Sequence, residues 1–187
     1  IAKTGRGDLN IDMGAGNDIL DVGGHITITS LIKSGKIAID MGSGDDTLII
    51  GTWIANNNRI DINGGTGYDT LIFKSNSSSN MSQVRNFEKV QMTKSGFELN
   101  LTISDVMQNT DHNTNSYLTI DGVSGTTVDL GDNGGSVRNP RYGGFEQADF
   151  NHAALKGQAS AKAGYTAYWD GSNEDSLVYI QNGITII

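Results

Sequence analysis

The sequence predicts an all-β chain, a β-sandwich or a short β-roll with one or two short helices, and three observations predict it. Short runs alternate polar with apolar residues at period two: HITIT from His25, FELNLTI from Phe97 and YLTI from Tyr117. Turn formers separate these runs, with 25 glycines among 187 residues but a single proline, Pro140. One pattern also occurs three times before the chain reaches Ile72, as IDMGAGNDIL from Ile11, IDMGSGDDTL from Ile39 and INGGTGYDTL from Ile62.

Each copy reads Ile, then Asp or Asn, a spacer, Gly-x-Gly-x-Asp, a spacer and an aliphatic residue. Glycines at Gly14, Gly16, Gly42, Gly44, Gly65 and Gly67 permit positive φ and a tight turn, which aims several backbone carbonyls at one spot. Asp18, Asp46 and Asp69 add a carboxylate to each turn, and Asp12, Asp40 and Asn63 place a further oxygen donor at its entry. The aliphatic residues Leu20, Leu48 and Leu71 start a strand that buries beneath the loop. Donors that are all oxygen, charged and irregular in geometry suit a hard cation, and calcium above zinc or magnesium.

With these residues in view, GGTGYDTLI from Gly64 resembles, position for position, the nonapeptide GGxGxDxUx of the RTX calcium-binding repeat proteins. The other two copies match with Met13 and Met41 in place of the leading Gly. RTX repeats follow one another about every nine residues, whereas Ile11, Ile39 and Ile62 lie at intervals of 28 and 23. That excludes a long RTX roll. It leaves two arrangements: a coil with one motif per circuit, stacking Ile11, Ile39 and Ile62 as one ladder and Leu20, Leu48 and Leu71 as the next, or a sandwich whose loops complete their sites with neighbouring connections.

Composition narrows the function. The net charge of −8, from 21 acidic and 13 basic residues, opposes nucleic acid binding by phosphate neutralisation and suits the loading of cations. Cysteine is absent, so disulfides and thiolate metal sites are unavailable, and bound calcium is the expected staple for a domain of this size. No run approaches the length that spans a membrane. A chain rich in Gly, Asn, Asp, Thr and Ser that opens on Ile1 is expected to be a monomeric module of a longer extracellular bacterial protein, folding after export into calcium.

Later segments add a helix and a second resemblance. Ser104 is a candidate cap for a short helix over Ser104 to Asn109, and a second helix is expected near Asp149 to Lys156. NFEKVQMTKSGFELNLTISDVMQNTD, from Asn86 to Asp111, followed by LTIDGVSGTTVDLGD, from Leu118 to Asp132, is similar to a segment that recurs in large type I-secreted bacterial adhesins. With the three loops and the closing LVYIQNGITII, the chain resembles the calcium-dependent split domains of RTX adhesins, and among them the peptide-binding variant. The expected division is one domain, with calcium loops in 1–75, sandwich strands and a helix in 76–131, a recognition insertion in 132–170 and closing strands in 171–187.

The insertion supplies the candidate ligand contacts. A connection this long in a compact domain is usually functional or disordered. It carries Arg138, Arg141, Tyr142, Phe145, Tyr165, Tyr168 and Trp169, and guanidinium groups with rigid aromatics suit carboxylates, sugars or short peptides. The plain alternative is that the aromatics fill a core edge. The resemblance implies a sharper mechanism, in which a loop calcium with an open position accepts a peptide C-terminus while aromatics hold the preceding side chains. Asp170, Asn173 and Asp175 are candidate ligands of that ion. The implied partners are therefore extracellular peptide or protein C-termini or cell-surface glycans; a purely structural spacer module is the competing reading.

Nothing points to catalysis. No G-x-S-x-G, H-E-x-x-H or catalytic Cys/His arrangement is present, and His25, His112 and His152 stand far apart. Arg6-Gly7-Asp8 spells an integrin tripeptide but falls within GRGD, itself shaped like a calcium turn.

Overall fold

The repeated segments stack on one another in parallel. The computed structural model describes residues 2–3, 8–23, 27–28, 35–51, 59–109, 117–130, 145–147, 162–170 and 173–187. Strands β2 (Leu9–Asp12), β5 (Ile37–Asp40), β7 (Ile60–Asn63) and β10 (Val84–Arg85) form one ladder. In it Ile11 pairs with Ile39 and Ile39 with Ile62. A second ladder takes the following strands, β3 (Ile19–Asp21), β6 (Thr47–Ile50), β8 (Thr70–Phe73), β11 (Lys89–Met92), β13 (Tyr117–Gly122) and β17 (Asn173–Gln181). Here Leu20 pairs with Leu48 and Leu48 with Leu71. A third ladder joins β9 (Ser78–Asn80), β12 (Glu98–Asn100), β14 (Thr127–Asp129) and β18 (Thr185–Ile186). Every pair in the three ladders is parallel.

Of the two arrangements open from the sequence, the described residues build the coil. Parallel neighbours require the chain to return to the same end before each new strand, and from β8 to β10 the third face, through β9, makes that return. The stretch 76–131, expected as sandwich strands, continues the same coil: β11 adds to β8, and β12 adds to β9. Among the described strands, antiparallel pairing is confined to β15 (Phe145–Gln147) with β16 (Tyr165–Asp170) and β16 with β17, which extend the second ladder beyond β17. A short parallel pair, β1 (Ala2–Lys3) with β4 (Thr27–Ile28), completes the described strands.

Period-two alternation sets the interior. Ile37 and Ile39, Leu48 and Ile50, Ile60 and Ile62, and Leu71 and Phe73 are buried, while the residues between them face outward or are half-buried. Phe73 stacks on Phe97 with ring centroids 4.9 Å apart, joining the second and third faces. The first circuit ends the stack, so Leu9, Ile11 and Leu20 are only partly covered and Ile19 is 70% exposed.

Helix α1 (Ile103–Gln108) takes the place that a fifth strand of the first ladder would occupy. Its cap is Thr102 and not Ser104. The Thr102 side chain accepts from the Asp105 N–H, while the Asp105 carboxylate accepts from the Thr102 N–H at 2.9 Å, a capping box. Asn109, fully buried, then stitches the helix to the coil. It accepts from the Phe87 N–H at 3.1 Å and donates to the carbonyls of Val84 and Asp105. The helix expected near Asp149 to Lys156 lies outside the described residues.

The glycines of the motif are demanded by the stacking itself. Gly65 has φ +105°, and a Cβ there would collide with the Gly42 carbonyl of the circuit below. Gly14, in the end circuit, has φ +89° but nothing within 4 Å of where its Cβ would be. Gly14→Ala is therefore expected to cost about 1–2 kcal/mol, the strain of positive φ alone. Gly65→Ala should cost at least ~3 kcal/mol, because relieving the collision parts two circuits. Urea unfolding of the two variants in calcium checks this, and equal costs would show that close stacking is not what requires glycine.

Candidate metal centre

The three Gly-x-Gly-x-Asp turns lie directly over one another between the first and second ladders. Ala15, Ser43 and Thr66 form successive parallel bridges. The Ser43 N–H donates to the Gly14 carbonyl and the Thr66 N–H to the Gly42 carbonyl, each at 2.9 Å. Two of the carbonyls expected to face an ion therefore serve the stacking.

The leading position of the nonapeptide also has a structural reason for its variation. Met41 turns inward and is fully buried. Gly64, at the same place one circuit on, lies so close to the Asn86 carbonyl that a Cβ would overlap it. Asn86 itself holds φ +58°, the one described non-glycine residue in the left-handed region. Met is thus tolerated where the next circuit carries a glycine loop and excluded where it does not.

Aspartates at the loop exits form a buried row. The Asp18 N–H donates to Asp46 Oδ1 at 2.7 Å, and the Asp46 N–H donates to Asp69 Oδ1 at 2.8 Å. The Asp69 N–H continues the row by donating to Glu88 Oε2 at 2.7 Å. Asp46, Asp69 and Glu88 are 1%, 0% and 2% exposed. A parallel row runs the other way outside it: the Asp45 N–H donates to Asn17 Oδ1 and the Tyr68 N–H to Asp45 Oδ1, both at 2.9 Å. The first and second circuits, and the second and third, are thereby each joined by two side chains reaching in opposite directions.

One oxygen of each aspartate remains. Asp18 Oδ2, Asp46 Oδ2 and Asp69 Oδ2 are buried and accept no hydrogen bond. An uncompensated carboxylate in such a place is costly, and burial is the main cause that pushes the Asp69 pKa up to about 7. The carboxylates of Glu88, Asp46 and Asp45 raise it further, against the hydrogen bond from the Asp46 N–H. Buried oxygens repeated on successive circuits, the circuits themselves at strand spacing of about 4.8 Å, are a donor set that fits a hard cation. Among the described residues no three Asp, Glu, His or Cys side chains converge on one point. Backbone carbonyls and water would have to complete any coordination shell, in keeping with calcium's tolerance of such ligands.

Asp12, Asp40 and Asn63 stand apart from this row. They close the first-ladder strands at the entry to the loops, with Asp12 and Asp40 exposed. Asn63 donates to Asp40 Oδ1 at 3.1 Å and accepts from Asn86 Nδ2 at 2.7 Å, an outer side-chain ladder. Asp170 and Asn173 pair across the end of a hairpin whose connection is residues 171–172, and Asp175 lies inside β17. The backbone there is a hairpin, and the side chains of the three lie outside the described residues.

Of the candidate ligand contacts, Arg138, Arg141 and Tyr142 also lie outside the described residues. Trp169 is 6% exposed and packs with Ala167, Leu177 and Tyr179, with Tyr117 and Tyr165 against them. Tyr168, on the opposite side of the strand, packs against the main core. The Tyr165 hydroxyl donates to Asp121 Oδ1, which is also bridged by Lys89 at 2.8 Å through Oδ2. Burial works to raise the Asp121 pKa, but hydrogen bonds from Lys89 and Tyr165 outweigh it and hold it below its ordinary value. Lys162 donates to Thr119 Oγ1 at 3.1 Å and lies 4.3 Å above the Tyr165 ring. These aromatics fasten the hairpin to the coil.

A groove of about 380 Å³ opens at the starts of β5, β7 and β10, the far end of those strands from the loops. Lys36, Arg59 and Arg85 line it, and Arg85 forms an ion pair with Asp61. None of the residues singled out from the sequence lies there. Glu88 was likewise not singled out, although Phe87-Glu88-Lys89-Val90 repeats the acid, spacer, aliphatic order of Tyr68-Asp69-Thr70-Leu71.

No family model matches the chain, and neither a curated protein nor a solved structure matches it.

Proposed function

We propose that this chain is a Ca²⁺-dependent module of a large extracellular bacterial protein exported by type I secretion, whose loaded loops stiffen the coil for adhesion to peptide C-termini or surface glycans. The observation that carries the calcium part is the set of buried, unpartnered oxygens Asp18 Oδ2, Asp46 Oδ2 and Asp69 Oδ2. Oxygen donors, acidic charge and glycine turns together favour calcium above softer metals. The adhesive part draws support from the length of chain between β14, which ends at Asp129, and β16, which begins at Tyr165. Arg138, Arg141 and Tyr142 fall in that stretch of the sequence.

A second reading, a spacer that binds calcium only for stiffness, draws support from the packing of Tyr168 and Trp169 into cores. One experiment separates the two. The purified chain is screened against free-C-terminus peptides and glycans, in calcium and in chelator, with folding followed by circular dichroism. Calcium-dependent capture of one ligand class, lost when a peptide hit is amidated, is the expected result. A folded, calcium-loaded chain that captures none of them is a spacer.

A further inference from the structure

We propose that Glu88 is a cation ligand, and that the gap between Asp69 and Glu88 is a metal site lying half outside the Gly-x-Gly-x-Asp motif. The inference rests on the reading of the aspartate row as calcium-binding, and it assigns that row a fourth, terminal member. Register places Glu88 there: Lys89 pairs with Thr70 and Val90 with Leu71, so Glu88 occupies the place of Asp69 one circuit on. Its Oε2 accepts the Asp69 N–H at 2.7 Å, as Asp69 Oδ1 accepts that of Asp46 at 2.8 Å and Asp46 Oδ1 that of Asp18 at 2.7 Å.

The choice of Glu over Asp follows from the backbone. Six residues, 64–69, connect β7 to β8 through the glycine loop, whereas three residues, 86–88, connect β10 to β11. The shorter connection leaves out the outward excursion of the loop, and a side chain one methylene longer restores the reach. Glu88 is 2% exposed and Asp69 0%, and Asp69 Oδ2 is buried without a donor. Two buried carboxylates on adjacent rungs, one with an oxygen free of any hydrogen bond, are what a hard divalent cation neutralises. Beyond Glu88 the row stops, because Lys89 pairs with Thr119 and so sets Leu118, which has no side-chain oxygen, at the next place.

The test uses the whole chain, Glu88→Gln and Glu88→Asp. Glutamine keeps an acceptor for the Asp69 N–H and removes the charge. Calcium titration by calorimetry is expected to show one ion fewer per chain in E88Q, and one site weakened about tenfold or more in E88D. Terbium, whose emission Tyr68 would sensitise from beside Asp69, should give a weaker signal in E88Q. Unchanged ion count and affinity in E88Q would overturn the inference and leave Glu88 as a hydrogen-bond acceptor only. A parent chain that takes up no calcium overturns the reading of the whole row, a separate outcome. If E88Q does not fold, a terbium-soaked crystal of the parent decides: an ion on the Glu88 carboxylate supports the site, and ions confined to the glycine loops refute it.

Discussion

Chelation is expected to lower the melting temperature of this chain by on the order of 10–20 °C. An ion that binds only the folded state contributes about 2.7 kcal/mol at a hundredfold excess over its Kd, so two ions in the Asp18–Asp46 and Asp46–Asp69 gaps contribute about 5 kcal/mol. For a chain of this size each kcal/mol shifts the midpoint by roughly 2–4 °C. The loss should be local before it is global, since each circuit touches only its neighbours. Amide exchange at Asp18, Asp46 and Asp69, whose N–H groups donate to the carboxylate row, is expected to accelerate first. Protection in β13 and β17, which pair beyond the last loop, should persist longer. A midpoint unmoved by chelator would mean that no ion is bound between the loops.

How much of this was legible in the sequence depends on what anchors the register. Gly-x-Gly-x-Asp names the same point in three circuits, and alternation around it then dictates that Ile11, Ile39 and Ile62 share a ladder. After Phe73 the anchor is gone. The fourth circuit keeps only the acid, spacer and aliphatic of Glu88-Lys89-Val90, too little to mark a rung, and so the coil's continuation through 76–131 read as sandwich strands. Helix α1 was visible from its residue types, but its cap moved to Thr102 because Asp105 can reach back only to the residue three before it. The aromatics show a different limit. An alternating strand such as Tyr165-Thr166-Ala167-Tyr168-Trp169 has two faces, and which of them meets solvent is decided by the element laid across it. Here Trp169 turns to Leu177 and Tyr179, and Tyr168 to the main core. The charge state of the row was equally out of reach, because stacking sets the distance between Asp46, Asp69 and Glu88, and no local pattern encodes it.

Asp69→Asn is expected to change sign with calcium. In chelator the Asp69 carboxyl has a folded-state pKa of about 7 against an ordinary value of 3.8. Between those values the folded chain holds a proton that the unfolded chain has released, so this stabilising contribution is complete below about pH 4 and is lost as pH rises through about 7. The metal-free parent should therefore be more stable at about pH 5 than at about pH 8, by on the order of 3 kcal/mol. Asparagine keeps Oδ1 for the Asp46 N–H and replaces the orphan Oδ2 with a neutral amide group, which removes the buried charge. The metal-free variant should be the more stable protein at neutral pH and should lose this part of the pH dependence. In calcium the order reverses, because the carboxylate that was a liability becomes a ligand and the amide cannot replace its charge. Melting curves of parent and variant, at both pH values and with and without calcium, read the four combinations directly. A variant less stable than the parent in every one of them would show that the Asp69 charge is compensated within the chain and that no cation is needed beside it.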